Sequence, residues 1–465
     1  MKSVQTPILP VAPYFVGDPQ KLDYRAICVF AATGFFFDQD TYYEGQKVLR
    51  PGTLYTLDSE KGTVLSEEPY FEWHYAPVER SFETVVQEFA TLFESLIAEQ
   101  VTDKKVILPL SGGLDSRTLA AALHHLGADV SSYSYELASG HPETLYSAQI
   151  AQVCGFPFEK WVIPPGYLWD SIETVGALNG CYTEFTHPRQ VAVMERWQSM
   201  GDVFCLGHWG DVLFDSMHVP DDLDFEGQVK VLYEKVLKKQ GIPFAEALWT
   251  SWGLEGQFAP YLESRIREGL AQIPIPQSAN ARIRAFKSKY WAPRWTSVNL
   301  QFFGAHKPML LPYYDNRMCA FICSVPEAYL ADRQIQIAYL KLRNPGLAQI
   351  TWQDHRPFNL YTYTWNTFPW NFPFRVKQKW VNSVWKPLFG NQKLVRNNYE
   401  NQFLGPENAA KLEEWLFENP HFSSWVDTAL VQRFYDGFTS GAHLAHSHVI
   451  STLLTLSVFS KIHKL

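Results

Sequence analysis

Short apolar runs alternate with stretches of helical periodicity between residues 105 and 230, and this alternation restricts the fold more than any other feature. The apolar runs cover residues 106–110, 130–135, 158–163 and 203–206. Helical patterns over residues 114–126 and 143–154 lie between them. Strands that are joined by crossover helices form parallel sheets. The sequence therefore predicts an α/β unit built on a parallel sheet.

The regions on either side of this unit have different patterns. Residues 1–98 contain an apolar, aromatic run at 26–37 and a Pro51-Gly52 turn before alternating residues 54–57, which is typical of a small β-rich module. A helical period over residues 82–98 leads into the α/β unit, to which we assign residues 99–350. Residues 351–465 are predicted to be helical and rich in aromatic residues, with a last helix at about 448–462.

Composition excludes several classes of protein. The 40 basic and 48 acidic residues give a formal net charge of −8, which argues against a protein that wraps duplex nucleic acid. The six cysteines contain no Cys-x-x-Cys pair and no disulfide framework. Prolines interrupt the first 19 residues, unlike a signal peptide, and the apolar stretch at 449–459 is too short to span a bilayer. We expect a cytoplasmic enzyme without a membrane partner.

The sharpest motif is Ser-Gly-Gly-Leu-Asp-Ser at residues 111–116, directly after a predicted strand and before a predicted helix. Two glycines allow a ligand to approach the backbone, and serine hydroxyls with amide groups at a helix N-terminus bind phosphate oxygens. Asp115 supplies a carboxylate of the kind that binds Mg²⁺ together with substrate phosphates. The alternative is an ordinary strand-to-helix turn that Ser111 caps.

With this motif the chain resembles the PP-loop ATP pyrophosphatases, and more closely the synthetase domain of the asparagine synthetase family, over about residues 100–350. Residues 205–214 are similar to the family's second motif, Gly-x-Gly-x-Asp-Glu-x-Phe, and residues 311–317 to its Pro-Phe-Leu-Asp segment. The resemblance implies an adenine nucleotide alpha hydrolase-like sheet. It also implies a ligase that uses ATP to activate a carboxylate as an acyl-adenylate, releasing pyrophosphate, and then AMP when ammonia or an amine attacks.

The resemblance also implies the positions of the site residues. The two Mg²⁺ ligands are Asp115 and Asp211, and the strand that ends at Tyr135 occupies the place where the family's backbone contacts adenine. The remaining residues that are implied to bind ATP are Leu110, Ser111, Gly112, Gly113, Ser116 and Gly207.

Departures from the family's pattern concern the catalytic side chains. The family's Lys falls on Tyr339, so Lys341 or Arg343 would neutralise the departing pyrophosphate. The family's Glu in the second motif is His208, so the base for the attacking amine could be His208 or Tyr339.

Other departures concern the substrates. Lys2 stands where the family's glutaminase has its catalytic Cys, so we expect no glutamine hydrolysis and a shortened, vestigial glutaminase-like module at residues 1–98. The amine would then come from solution, from a partner protein or from the substrate itself. Residues 308–310 lack the Arg that would hold an aspartate carboxylate, which leaves open a small-molecule, glycan or peptide carboxylate.

Two aromatic segments and two rival functions stay open. The basic, aromatic residues 282–295 could bind RNA or another anion, or form a helix with a cationic face and an aromatic core side. The aromatic residues 361–385 could line a substrate groove, although core packing is the simpler interpretation.

A PP-loop enzyme that adenylates a transfer-RNA base and a degenerate ATP-binding scaffold are the alternatives to a ligase. His187-Pro188-Arg189 lies where the family shapes its acceptor pocket.

Overall fold

The computed structural model describes residues 1–140, 144–185, 188–380 and 395–465. The strands are β1 (Lys2–Gln5), β2 (Phe15–Val16), β3 (Lys47–Val48), β4 (Thr53–Leu57), β5 (Val64–Pro69), β6 (Val106–Pro109), β7 (Val130–Leu137), β8 (Phe158–Ile163), β9 (Val203–Cys205) and β10 (Met309–Leu310). The helices of the first half are α1 (Tyr24–Thr33), α2 (Phe82–Val101), α3 (Leu114–His125), α4 (Thr144–Cys154), α5 (Ile172–Asn179), α6 (Gly210–Leu213) and α7 (Phe225–Val236).

The later helices surround the sheet and form the C-terminal region. They are α8 (Gly241–Ser251), α9 (Phe258–Ala271), α10 (Ala279–Phe286), α11 (Ser297–Gly304), α12 (Asn316–Cys323), α13 (Glu327–Leu330), α14 (Gln334–Arg343), α15 (Pro345–Gln349), α16 (Phe372–Trp380), α17 (Asn398–Phe403), α18 (Pro406–Phe417), α19 (Pro420–Ser423), α20 (Thr428–Thr439) and α21 (His443–His463). A π-helix spans Lys287–Thr296, and 3₁₀ turns occur at Arg189–Ser199, Pro312–Tyr314, Ala331–Arg333, Gln353–His355 and Tyr363–Trp365.

A parallel five-stranded sheet organises the chain, with strand order β10-β9-β6-β7-β8. The predicted α/β fold is confirmed, with a small N-terminal set of strands and a helical C-terminal region. Val106, Ile107 and Leu108 of the central strand are fully buried, as expected for a strand covered on both faces. Val106 pairs with Val203, so β6 and β9 run side by side and the loops that follow them lie at the same edge.

The N-terminal part is only partly the β-rich module that the sequence predicts. The strands β1, β4 and β5 form an antiparallel sheet, and β2 pairs with β3. The apolar run at 26–37, however, lies largely in helix α1, which Asp23 caps by accepting from the Ala26 N–H at 3.0 Å. The run is buried on every side, and a helix that is buried all round lacks the polar stripe that identifies a surface helix.

The first and last parts of the chain pack together. Tyr42 stacks on Phe459 of α21 with ring centroids 3.7 Å apart, and His448 contacts the Ala31 carbonyl at 2.9 Å. One continuous cluster of buried apolar side chains extends from Ile8 to Phe459. The division at residues 98 and 350 stays a prediction. Across the described ranges, no helix has both the length and the apolar character needed to cross a bilayer.

Candidate active site

The loop that follows β6 is held in place by its own serines. The Ser111 N–H donates to Ser116 Oγ at 3.0 Å, and the two hydroxyl oxygens lie 3.0 Å apart. The Gly113 N–H donates to Ser111 Oγ at 3.3 Å. These bonds fix the turn into α3 and keep both hydroxyls at the end of the strand.

A buried arginine ties this loop to a later part of the chain. Arg117 is fully buried, and its guanidinium donates to the carbonyls of Gly112 at 3.1 Å, Ile350 at 3.0 Å and Thr351 at 3.0 Å. Burial lowers the pKa of Arg117 to about 10. A Cβ at Gly112 would overlap the Gln353 side chain, so glycine allows the two loops to meet.

The loop that follows β9 packs directly on Asp115. A Cβ at Gly207 would lie 2.9 Å from Asp115 Cβ, and a Cβ at Gly210 would lie 2.7 Å from Tyr313 Cε2 and clash with the Asp115 carboxylate. Between these glycines, Trp209 has a φ of 75°, a left-handed conformation that favours glycine. The second Gly of the Gly-x-Gly pattern falls on Trp209, which adopts the left-handed conformation without being glycine. In the same alignment the family's Glu falls on Val212, so the expectation that His208 takes its place was wrong.

Asp115 lies in a network of hydrogen bonds at the start of α3. Gln336 Nε2 donates to Asp115 Oδ1 at 3.0 Å and to the Tyr313 hydroxyl at 2.7 Å, and the Arg333 guanidinium forms an ion pair with the same carboxylate. Burial raises the pKa of Asp115 to about 6; the positive charge of Arg333 opposes this shift and the negative charge of Asp211 adds to it. Two carboxylates and one guanidinium therefore meet at this point.

A cavity of about 480 Å³ opens at this edge of the sheet, within the usual range for small-molecule sites. The implied ATP and metal residues that line it are Leu110, Ser111, Gly112, Asp115, Ser116, Tyr135, Gly207, His208 and Asp211. Other lining residues are Tyr133, Ser134, Arg189, Gln190, Trp209, Trp295, Thr296, Phe303 and Gln353. The structure thus brings most of the implied residues together, while their binding of ATP stays a prediction.

The donor set suits Mg²⁺. The described residues contain no group of three or more His, Cys, Asp or Glu side chains that could bind a metal by themselves. Asp115 and Asp211 instead provide two carboxylates beside a loop suited to phosphates, and Mg²⁺ is usually held by one or two carboxylates with substrate phosphates completing the shell. These two residues could hold the ion once a nucleotide is bound.

His208 contributes a neutral imidazole to the cavity. Burial lowers its pKa to about 4, and the nearby charge of Asp211 only partly offsets this effect. Its Nδ1 is buried and has no hydrogen-bond partner among the residues that the structure describes. A buried polar atom without a partner is costly, so a ligand that hydrogen-bonds to this nitrogen would be favoured.

Several predicted residues do not line the cavity. Tyr339 and Arg343 both contact Glu94: the Tyr339 hydroxyl donates at 2.9 Å, and the guanidinium donates at 2.6 and 3.0 Å. Lys341 lies 5.0 Å from the Tyr361 ring centroid. Gly113 forms the turn into α3 beside the cavity rather than part of its wall. Neither Lys341 nor Arg343 lines the cavity, and Arg343 is bound to Glu94, so the cavity geometry gives no support to either as the cation for pyrophosphate.

The basic, aromatic residues 282–295 belong mainly to the core. Arg284 forms a buried ion pair with Glu327, with both nitrogen–oxygen distances 2.6 Å. Arg294 is also buried and donates to the carbonyls of Phe36 and Asp40. These two guanidinium groups are bonded inside the protein, and Arg282, Lys287 and Lys289 are only partly exposed, which weakens the case for an RNA substrate.

The aromatic segment further along has the opposite environment. Core packing is wrong for much of residues 361–380, where Trp365, Phe368, Trp370, Phe372 and Trp380 are exposed. Residues 381–385 lie outside the described residues. His187 does too, while Arg189 lines the cavity.

Sequence reasoning missed two residues at the site. Arg333 and its neighbour Asp332 have φ values of 60° and 55°, and this left-handed pair directs the Arg333 guanidinium to Asp115. Gln353 reaches the cavity from a 3₁₀ turn after α15. Neither lies in a motif; the sole signal was the position of Arg333 shortly before the family's Lys position.

Comparisons with known proteins agree with the geometry over part of the chain. Residues 88–281 match the family model described as asparagine synthase. The comparison with curated proteins finds no match. A solved structure, the crystal structure of NAD+ synthetase from Burkholderia Pseudomallei, is 14% identical and covers 42% of this chain and 87% of that chain, with a TM-score of 0.19. A TM-score this low carries no structural inference.

Proposed function

We propose that the chain is an ATP-dependent ligase that forms an amide through an acyl-adenylate, because residues 88–281 match the family model described as asparagine synthase. The observation that carries the proposal is the convergence of Asp115 and Asp211 on one cavity beside the Ser-Gly-Gly loop. Ligands of open α/β sheets bind at the carboxyl ends of the strands, where this cavity lies.

In the first step a substrate carboxylate oxygen attacks the α-phosphorus of ATP, and the bond to the β-phosphate oxygen breaks to release pyrophosphate. The serine hydroxyls and the amide groups of residues 111–116 hold the phosphates in position. Mg²⁺ held by Asp115 and Asp211 would supply positive charge to the phosphate oxygens. Arg333 takes the role first given to Lys341 or Arg343, because its guanidinium lies at Asp115 and can turn to the leaving pyrophosphate.

In the second step ammonia or an amine attacks the acyl carbon, AMP leaves, and the nitrogen loses a proton. His208 is neutral at physiological pH and lines the cavity, so it is the better placed of the two predicted bases. Tyr339 is buried against Glu94, and burial raises its pKa well above its ordinary value. Because a pKa of about 4 makes His208 a weak base, its main role in this proposal is to orient the amine by hydrogen bonding.

The amine is proposed to arrive without glutamine hydrolysis. All six cysteines are buried. Burial raises the pKa of the thiol of Cys28, the first cysteine in the chain, well above its ordinary value. Burial also raises the pKa of the Cys323 thiol, to about 11. A thiolate is the nucleophile in such hydrolysis, and these thiols stay protonated. Solution, a partner protein or the substrate itself would therefore supply the amine.

The test uses hydroxylamine as a generic amine with pools of carboxylates, ATP and Mg²⁺. The proposal predicts AMP, pyrophosphate and a hydroxamate with one pool, and loss of all three in Asp115→Asn. Asp103→Asn, an exposed acid outside the cavity, is the matched control and should keep wild-type turnover. ATP binding without AMP from any pool would instead support the scaffold, and AMP formed only with added transfer RNA would support base adenylation.

A further inference from the structure

Residues 365–380, named here the aromatic surface, expose large apolar side chains to solvent. Phe368 is 78% exposed and Trp370 is 67% exposed, and Trp365, Phe372 and Trp380 are each more than half exposed. Trp365 and Trp370 lie with their ring centroids 6.1 Å apart, and Phe368 and Phe372 lie 6.0 Å apart. Exposed apolar groups that contact one another in this way mark an interaction site more often than scattered ones do.

Helix α16 arranges this surface as a stripe. Phe372, Val376 and Trp380 are four residues apart, so they lie on one face of the helix, and all three are exposed. Helical spacing places Arg375 and Lys379 at one edge of the stripe and Lys377 at the other. An apolar face with cations at both edges is the arrangement of helices that lie in a membrane interface.

The charge of the surrounding segment has a single sign. Residues 355–380 contain Arg356, Arg375, Lys377 and Lys379 and no Asp or Glu, although the whole chain has a formal net charge of −8. A local excess of cations beside exposed tryptophans complements an anionic lipid headgroup layer, which attracts basic segments and accommodates Trp at its boundary.

The high exposure of the aromatic side chains favours a lipid surface over a folded protein as the partner. Side chains exposed by two thirds or more, such as Phe368 and Trp370, would each need a matching cavity in a protein partner. A lipid bilayer needs no such preformed cavity, because the lipids at its interface can rearrange around an inserted aromatic ring. Single-stranded nucleic acid would stack on the rings but leaves aliphatic Val376 without a role.

We propose that the aromatic surface docks on an anionic lipid bilayer, with α16 lying in the plane of the interface. This proposal replaces the expectation that the protein has no membrane partner. Tyr363, two residues before the aromatic surface, lies 5.4 Å from Trp352, which precedes the cavity residue Gln353 in the chain.

The test measures sedimentation of the full chain with phosphatidylcholine vesicles that contain or lack phosphatidylglycerol. Wild type should sediment with the anionic vesicles and stay in solution with the neutral ones. Lys377→Gln/Lys379→Gln should bind anionic vesicles about 25-fold more weakly, since each cation near the surface contributes about a fivefold change. Phe368→Ser/Trp370→Ser should lose binding by at least about tenfold.

Control variants change exposed residues elsewhere: Lys61→Gln/Lys104→Gln for charge and Leu65→Ser/Val78→Ser for apolar area. Both should bind like wild type, and the thermal midpoints of all four variants identify any that fail to fold. The proposal is overturned if wild type stays in solution with anionic vesicles, or if the control pairs lose as much binding as the surface pairs. Wild type held by single-stranded RNA or polyglutamate but not by vesicles would also overturn it.

Discussion

The two ends of helix α14 carry arginines in opposite roles. Arg333, just before the helix, pairs with Asp115 at the cavity, whereas Arg343, the last residue of the helix, pairs with Glu94, which does not line the cavity. Both are charge-assisted contacts to a carboxylate. The comparison teaches that position relative to the strand ends, and not the presence of a cation on the helix, decides which residue can act on a ligand.

The largest effect is expected for Arg333→Met, because this change removes the one cation beside Asp115 that the structure describes. AMP formation should fall about 100-fold, the usual cost of removing one group that stabilises developing charge. Arg333→Lys should recover part of the loss. The rate of pyrophosphate release at saturating ATP measures the effect of each variant. If Arg333→Met releases pyrophosphate at the wild-type rate, Arg333 does not have the role assigned to it.

Arg343→Met should act on stability instead. It leaves the mostly buried Glu94 without its guanidinium and should lower the free energy of unfolding by about 2 kcal/mol. AMP formation per folded molecule should stay within about twofold of wild type. Urea unfolding measures the first quantity, and the double variant Glu94→Gln/Arg343→Met should recover part of the stability. A 100-fold loss of turnover in Arg343→Met would show that Arg343 acts in catalysis and would contradict the structural role given to it.

Tyr339→Phe should have a smaller effect. It removes one hydrogen bond to Glu94, at 2.9 Å, which corresponds to about 1 kcal/mol of unfolding free energy. Since the hydroxyl is not at the cavity, the rate of hydroxamate formation should not change. A lost second step with normal pyrophosphate release would instead identify Tyr339 as the base.

Lys341→Gln should have the smallest effect. Its ammonium contacts the ring of Tyr361 at 5.0 Å and has no ion-pair partner within the described part of the chain. Unfolding free energy should change by less than about 0.5 kcal/mol, as for most surface substitutions, and turnover should stay at the wild-type level. Loss of turnover in this variant would instead support Lys341 as the cation that neutralises the departing pyrophosphate.

Much of the fold was predictable because the parallel sheet leaves a strong periodic pattern. The predicted strand at 158–163 matches β8 (Phe158–Ile163), and the predicted helix at 82–98 corresponds to α2 (Phe82–Val101). Helix α1 was missed, since a short, fully apolar run has the same composition in a buried strand and a buried helix.

Prediction of the site succeeded where two strand ends carry motifs and failed where tertiary structure decides. Asp115 and Asp211 follow neighbouring strands, so their convergence follows from sheet topology. The position of Arg333 depends on a left-handed turn that the residue types at these positions do not predict. The basic, aromatic residues 282–295 and 361–380 are similar in composition, yet much of the first is buried and much of the second is exposed. Composition cannot distinguish them, because burial depends on what packs against each.

The most direct test of the central claim, that this cavity splits ATP between its α- and β-phosphates, is product analysis with ATP labelled at the α-phosphate. Wild type given Mg²⁺, hydroxylamine and a productive carboxylate pool is predicted to form labelled AMP and no ADP, while Asp115→Asn forms neither. Labelled ADP from wild type, or undiminished AMP from Asp115→Asn, would contradict the account.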